Sequence, residues 1–271
     1  MCHTVQYMAD GTTATDLLEL AQRRQAYLTL LADGPRHKRD VIAELGDSRS
    51  TVDRAIEALR EAGLVARTAD GAWTVTTKGD VLRVAVERTR DAAEAIATAD
   101  DLLEHLPCDE PVPPVLFQDA VVELADGPTP LSIARRVRDN MVAADSVRGF
   151  AAADHGTGVK EDAFESVFGD DSFEFAYVFD ESLVAGLSAD DDRYRELCDL
   201  PNATCTVYEG LPFGLLLADV GDETRMTLIV YDDSSVVRGH ITTTDRGAVA
   251  WGEEVFQRYL TAGTDLREWF A

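Results

Sequence analysis

In the stretch "DSRSTVDRAIEALREAGL" at 47–64, the apolar side chains Val52, Ala55, Ile56 and Leu59 recur at the three- and four-residue spacing of one buried helical stripe. Asp47 and Ser48 are good N-cap residues, and Gly63 is a natural C-terminal stop. Arg49, Ser50, Asp53, Arg54 and Glu57 then point away from the stripe. Just before it, "KRDVIAELG" at 38–46 predicts a short helix with Val41, Ile42 and Leu45 on one face and Gly46 as its stop. Residues 15–35 place Leu17, Leu20, Leu28 and Leu31 near helical period ahead of "DGP", which predicts one support helix. After Gly63 the pattern changes to two β-prone stretches, 64–68 and 72–76, around the turn signal "ADG".

A support helix, two helices joined by a short turn and then a hairpin follow the order of an α+β winged helix-turn-helix domain, here over residues 12–77. "SRSTVDRAIEALREAGLV" resembles the recognition-helix segment of archaeal and bacterial winged-helix regulators, and "ADGAWTVTTKG" resembles their wing. In that motif the N-terminal part of the second helix enters the major groove, which would bring Arg49, Ser50, Thr51 and Arg54 to base edges and phosphates. Arginine can take guanine bidentately, and serine or threonine can bond bases or phosphate oxygens. Lys38 and Arg39 suit backbone anchoring, and Arg67 on the wing suits a phosphate or minor-groove contact. The expected partner is double-stranded promoter DNA.

Residues 78–106 are rich in helix formers, with Val81, Val84, Ala85, Val86, Ala92, Ile96, Ala99 and Leu103 mainly along one side. A helix of roughly 27 residues would be about 40 Å long. It is read as a linker and dimerisation helix, because palindromic operators are read by two-fold dimers. "PCDEPVPP" at 107–114 then breaks the helix and marks a domain boundary.

Over 115–271 the pattern predicts helices at 115–125, 131–144, 160–168 and 191–200. It predicts strands at 147–153 and 173–179, then four in succession at 204–209, 213–220, 225–232 and 234–244, and a closing helix at 246–263. Helices alternating with strands, followed by adjacent strands, predict an α/β domain with a mixed sheet.

Charge sharpens this division. Of 271 residues 50 are acidic and 25 basic, a net charge of -25. The first 90 residues hold 13 of each sign, so the whole excess lies beyond them. Only Lys38, Lys78 and Lys160 are lysines, and this arginine-rich acidic balance resembles that of salt-in halophilic archaea. Low net basicity does not exclude DNA binding in strong salt, where the Debye length at 1 M is about 3 Å and short-range contacts carry the affinity. No apolar run approaches a membrane span and the N-terminus lacks a signal-peptide pattern, so a soluble cytoplasmic protein is expected. The four cysteines, Cys2, Cys108, Cys198 and Cys205, are read as free thiols, with a Cys198/Cys205 redox pair as the alternative. Neither they nor the five histidines have metal-ligand spacing, and no cofactor is expected.

"EGLPFGLLLADV" at 209–220, "LIVYDD" at 228–233, "VRGHITTTD" at 237–245 and "AVAWGEEVFQRYL" at 248–260 resemble the sensor domain of the archaeal methanogenesis-regulator (FilR-type) group. The resemblance implies a phospholipase D-like fold. The catalytic His-x-Lys of that fold is absent, since "DHGTGVK" sets His155 and Lys160 five apart. There is no phosphate-binding loop and no Gly-x-Ser-x-Gly, so a non-enzymatic domain is expected. If an effector binds, strand ends are its expected place, with Asp154 and His155 on one lip and Glu209 and Phe213 on the other. The combined reading is a haloarchaeal transcriptional regulator, a repressor, that acts as a homodimer and senses a small molecule. The alternatives are a winged-helix protein-interaction module and a hydrolase-derived enzyme.

Overall fold

The structure, a computed structural model, describes residues 13–125, 131–153, 169, 173–186 and 193–271. The chain divides into two compact units between Arg90 and Asp91.

The first unit runs α1 (Ala14–Arg23), α2 (Gln25–Ala32), α3 (Lys38–Leu45), α4 (Arg49–Glu61), β1 (Val65–Arg67), β2 (Trp73–Val75) and the start of α5 (Thr77–Thr98). Its core is the apolar stripe anticipated for α4, packed with Tyr27, Leu28, Leu31, Val41, Leu64, Trp73 and Val86. Gly46 and Gly63 end α3 and α4 at φ +69° and +71°, the left-handed region that only glycine enters at low cost.

The expected support helix is two helices. Arg24 lies between them at φ -116°, ψ 21°, outside the helical region. Its amide still closes the end of α1, and α2 then carries Tyr27, Leu28 and Leu31 into the core. The hairpin also gains a rung that its own pattern does not contain. The Arg36 amide donates to the Trp73 carbonyl at 2.9 Å, and the Trp73 amide returns a bond to Arg36 at 2.8 Å.

The single helix expected over 78–106 is likewise interrupted. α5 ends at Thr98, Ala99 turns at φ -85°, ψ 6°, and α6 (Asp100–Leu103) follows. Ala99 and Leu102 are buried in the second unit, so packing there accounts for the turn.

The second unit is built on an eight-stranded sheet in the order β10-β6-β5-β4-β7-β8-β9-β3. Its strands are β3 (Val121–Leu124), β4 (Ser146–Ala151), β5 (Glu174–Asp180), β6 (Ala203–Tyr208), β7 (Gly214–Val220), β8 (Glu223–Tyr231), β9 (Val237–Thr243) and β10 (Thr264–Asp265). β4, β5 and β6 are mutually parallel and every other pairing is antiparallel, which makes the sheet mixed as anticipated. Both faces are buried. Phe175, Tyr177 and Phe179 of β5 face one core with α7 (Leu131–Val142), α8 (Glu181–Ala185), α9 (Arg193–Asp199) and α11 (Leu266–Trp269). Val178 of the same strand faces the other core, with Leu215, Leu217, Met226, Leu228 and the long α10 (Arg246–Ala262). The period-two alternation of a strand produces this split.

One element of this unit departs from expectation. Residues 115–125 form no α-helix; they make a 3-10 turn, Pro114–Phe117, and then β3. Val121, Val122, Glu123 and Leu124 pair antiparallel with β9, from Thr242 back to Gly239. A short apolar run satisfies either periodicity, and a free sheet edge decides the matter. The helix expected at 160–168 lies outside the described residues. Among the described residues no helix is long and apolar enough to cross a membrane.

Candidate nucleic-acid interface

The surface of interest begins at the turn between α3 and α4. Ser48 is the N-cap of α4, its hydroxyl accepting from the Thr51 amide at 3.2 Å and lying 3.0 Å from the Ser50 hydroxyl and 2.9 Å from that of Thr51. Asp47, just before it, accepts from the Tyr27 hydroxyl and so ties the turn to α2. Burial, then that acceptor, raises the Tyr27 phenol to about 12, so it stays a donor at any ordinary pH. The cap fixes where the helix starts, and the buried stripe fixes its rotation.

Arg49, Ser50 and Arg54 are therefore exposed in the first two turns, with Thr51 half-buried beside them. The Arg49 side chain is 89% exposed. Arg54 folds back along its helix, its Nε donating to the Ser50 carbonyl at 3.1 Å. Lys38 and Arg39 open α3, where Lys38 Nζ donates to Asp53 Oδ1 at 2.6 Å and Arg39 Nε lies 3.3 Å from Asp40 Oδ1. On the wing, Arg67 Nε donates to the Gly71 carbonyl at 3.2 Å and braces the turn.

The structure thus brings Lys38, Arg49, Ser50, Thr51 and Arg54 to the α3/α4 corner and puts Arg67 on the hairpin. It also adds Asp53, a member of the outer face that the sequence does not single out. Asp53 holds Lys38 and lies 3.9 Å from Arg49 Nε. The Lys38 bond is the chief reason that its carboxyl sits below the usual range. Lys38 is 15 residues away, so no local spacing rule points to the pair.

The effector lips lie on the second unit. Ala152 and Ala153 follow β4, and Glu209 follows β6, with the end of β5 between them by strand order. Ala152, Ala153 and Glu209 thus lie at the carboxyl edge of the three parallel strands; Asp154 and His155 lie outside the described residues. Glu209 is exposed, whereas Phe213 is fully buried against Phe150 and Trp251, which makes it a core residue and not a lip. This edge is fastened by Asp180, which sequence reading missed. Its Oδ1 accepts from the Ser182 amide at 2.9 Å and hydroxyl at 2.6 Å, and its Oδ2 from the Gly210 and Leu211 amides at 3.0 Å each. Asp180→Ala strips the carboxylate partner from three amides at once. It should destabilise the second unit by about 1 to 3 kcal/mol in urea unfolding, the cost of leaving the buried Leu211 donor bare, while the amides of the exposed Ser182 and Gly210 can turn to water.

The family model for the middle domain of the methanogenesis regulatory protein FilR1 matches residues 130–262. The model for the HVO_A0261 N-terminal domain matches residues 12–98. The chain is thus similar to a FilR1 middle domain over its later part and to an HVO_A0261-type N-terminal domain over its front part. The FilR1 span ends with α10 at Ala262 and takes in β4 to β9; the N-terminal span ends with α5 at Thr98. Among solved structures, TrmBL2, an archaeal chromatin protein whose structure shows a novel mode of DNA binding, is similar at TM-score 0.43 and 12% identity, over 93% of this chain and 100% of that one. NucT from Helicobacter pylori is similar at TM-score 0.42 and 12% identity, over 54% and 98%. Nuc from Salmonella typhimurium, a phospholipase D family member, is similar at TM-score 0.37 and 12% identity, over 54% and 96%. No curated protein matches the chain at a significant level.

Proposed function

We propose that this chain is a DNA-binding transcriptional regulator that represses by occupying promoter DNA. The observation that carries the reading is the α3/α4 corner. A capped helix, locked in rotation by Val52, Ala55, Ile56 and Leu59, offers Arg49, Ser50 and Arg54 at its exposed N-terminal end. A helix docked end-on in a major groove needs this geometry, with base-reading side chains in its first turns and phosphate contacts from the preceding helix. Arg67 would follow the backbone from the wing. A FilR1 middle domain behind the winged helix suits a regulator whose second unit receives a signal.

In this reading the second unit senses a small molecule at the carboxyl edge of β4, β5 and β6 and performs no catalysis. Two copies associate, which matches the two-fold symmetry of palindromic operators. Val81, 66% exposed, and Val84, 38% exposed, lie on α5 and support a contact there. Val81→Asp should shift the chain toward monomer in sedimentation velocity at micromolar concentration. An unchanged sedimentation coefficient would remove α5 from the interface.

The deciding experiment is genome-wide crosslinking and sequencing of bound DNA, with the Arg49→Ala/Arg54→Ala variant beside the wild type. Sharp promoter peaks that vanish in the variant establish the α4 surface as the reader. Peaks that persist in the variant, or no peaks across several growth conditions, would refute it.

A further inference from the structure

Each cation at the α3/α4 corner lies beside an oxygen of the protein, Arg49 at ion-pair distance and the others within hydrogen-bond reach. Arg54 spends its Nε on a carbonyl of its own helix and Arg39 lies beside Asp40. Lys38 and Arg49 share the two oxygens of one carboxylate: Asp53 Oδ1 takes Lys38 Nζ at 2.6 Å, and Oδ2 lies 3.9 Å from Arg49 Nε. Arg49 and Asp53 are four apart on α4, so both belong to the face presented at the helix start.

We infer that Asp53 is a specificity-determining residue of this surface, holding Lys38 and Arg49 in the free protein and thereby suppressing attachment to duplexes that offer phosphates alone. The inference rests on the reading of α4 as the DNA-contacting helix. Its logic is competition between anions. A phosphate that approaches Lys38 or Arg49 must displace a carboxylate of the same sign already in place, and it is repelled by that carboxylate as it enters. Non-specific binding consists almost wholly of such phosphate contacts, so it bears the full penalty. A correct site changes the balance, because a cytosine N4 amino group in the major groove donates to an aspartate. Asp53 then acquires a partner of its own and Lys38 and Arg49 pass to the phosphates. Arg49 is exposed and Lys38 and Asp53 are half-buried at the surface, so both pairs can exchange.

The test uses Asp53→Asn, which keeps shape and removes charge, and Asp53→Ser as a second variant should the amide find a new partner. Fluorescence anisotropy is measured over a salt series with two duplexes of equal length. One is a promoter fragment whose crosslinking depends on Arg49 and Arg54, and the other is its scrambled sequence. The variants should bind the scrambled duplex about three- to tenfold more tightly than the wild type. Their log-log salt slope there should be steeper by about 1 to 2, since up to two further cations reach phosphates. Promoter affinity should rise less or fall, which narrows the ratio between the two duplexes. Unchanged scrambled-duplex affinity and slope in both folded variants would overturn the inference while leaving the DNA reading intact. A wild type that binds the promoter fragment no better than Arg49→Ala/Arg54→Ala would overturn both.

Discussion

Arg49→Ala/Arg54→Ala should weaken promoter binding by about 2 to 6 kcal/mol, the loss of two base- or phosphate-reading arginines at about 1 to 3 kcal/mol each. The same variant should unfold within about 0.5 kcal/mol of the wild type per site, because both side chains are exposed and neither enters the core of the first unit. Anisotropy on the promoter fragment measures the first quantity and urea unfolding the second. The contrast matters more than either value. On the proposed reading the buried stripe of α4 supplies stability and the exposed corner recognition, so a variant confined to the corner separates them. An affinity loss accompanied by an equal loss of stability would mean that the helix itself had been damaged.

Gly149→Ala should damage the second unit severely, destabilising it by at least about 3 kcal/mol. Gly149 lies on β4 between β5 and β7, paired with Tyr177 on one side and Leu216 on the other. A Cβ there would stand 2.1 Å from the Leu215 carbonyl oxygen and 3.1 Å from its carbonyl carbon. These are backbone atoms of the neighbouring strand, so relief requires parting β4 from β7 where the parallel and antiparallel halves of the sheet join. Gly252→Ala is the useful comparison. Its Cβ would meet the Met226 sulfur at 2.6 Å, and a thioether can swing aside. Urea unfolding should show a loss of about 1 kcal/mol for Gly252→Ala against the much larger loss for Gly149→Ala. Equal losses would mean that β4 and β7 can separate more easily than their pairing implies.

Much of the winged helix was legible before the structure. The three- and four-residue spacing in α3 and α4 is a local property, and the glycines after each helix stop it for a reason carried by one residue. Strands β4 to β9 were legible for the same kind of reason, through alternation or a short apolar run bounded by turn residues. The candidate site was legible wherever it consists of side chains near a helix start. The pairing of Lys38 with Asp53 was not legible, since it depends on how α3 crosses α4.

Elsewhere distant parts of the chain had to meet. The strand nature of residues 121–124 was settled by the free edge of β9, more than 100 residues later. The burial of Phe213 was settled by Phe150 and Trp251, from two other elements, and the rung between Arg36 and Trp73 by packing of the hairpin against the start of α3. Asp180 found its amide partners 30 and 31 residues away. By itself the sequence determined the buried stripes of α3 and α4 and where those two helices begin and stop, since those depend on neighbours a few positions away. Only the tertiary structure decided which strands adjoin, which carboxylates hold which donors and which apolar side chains lose their exposure. Those outcomes are contact energies between segments that local periodicity leaves unpaired.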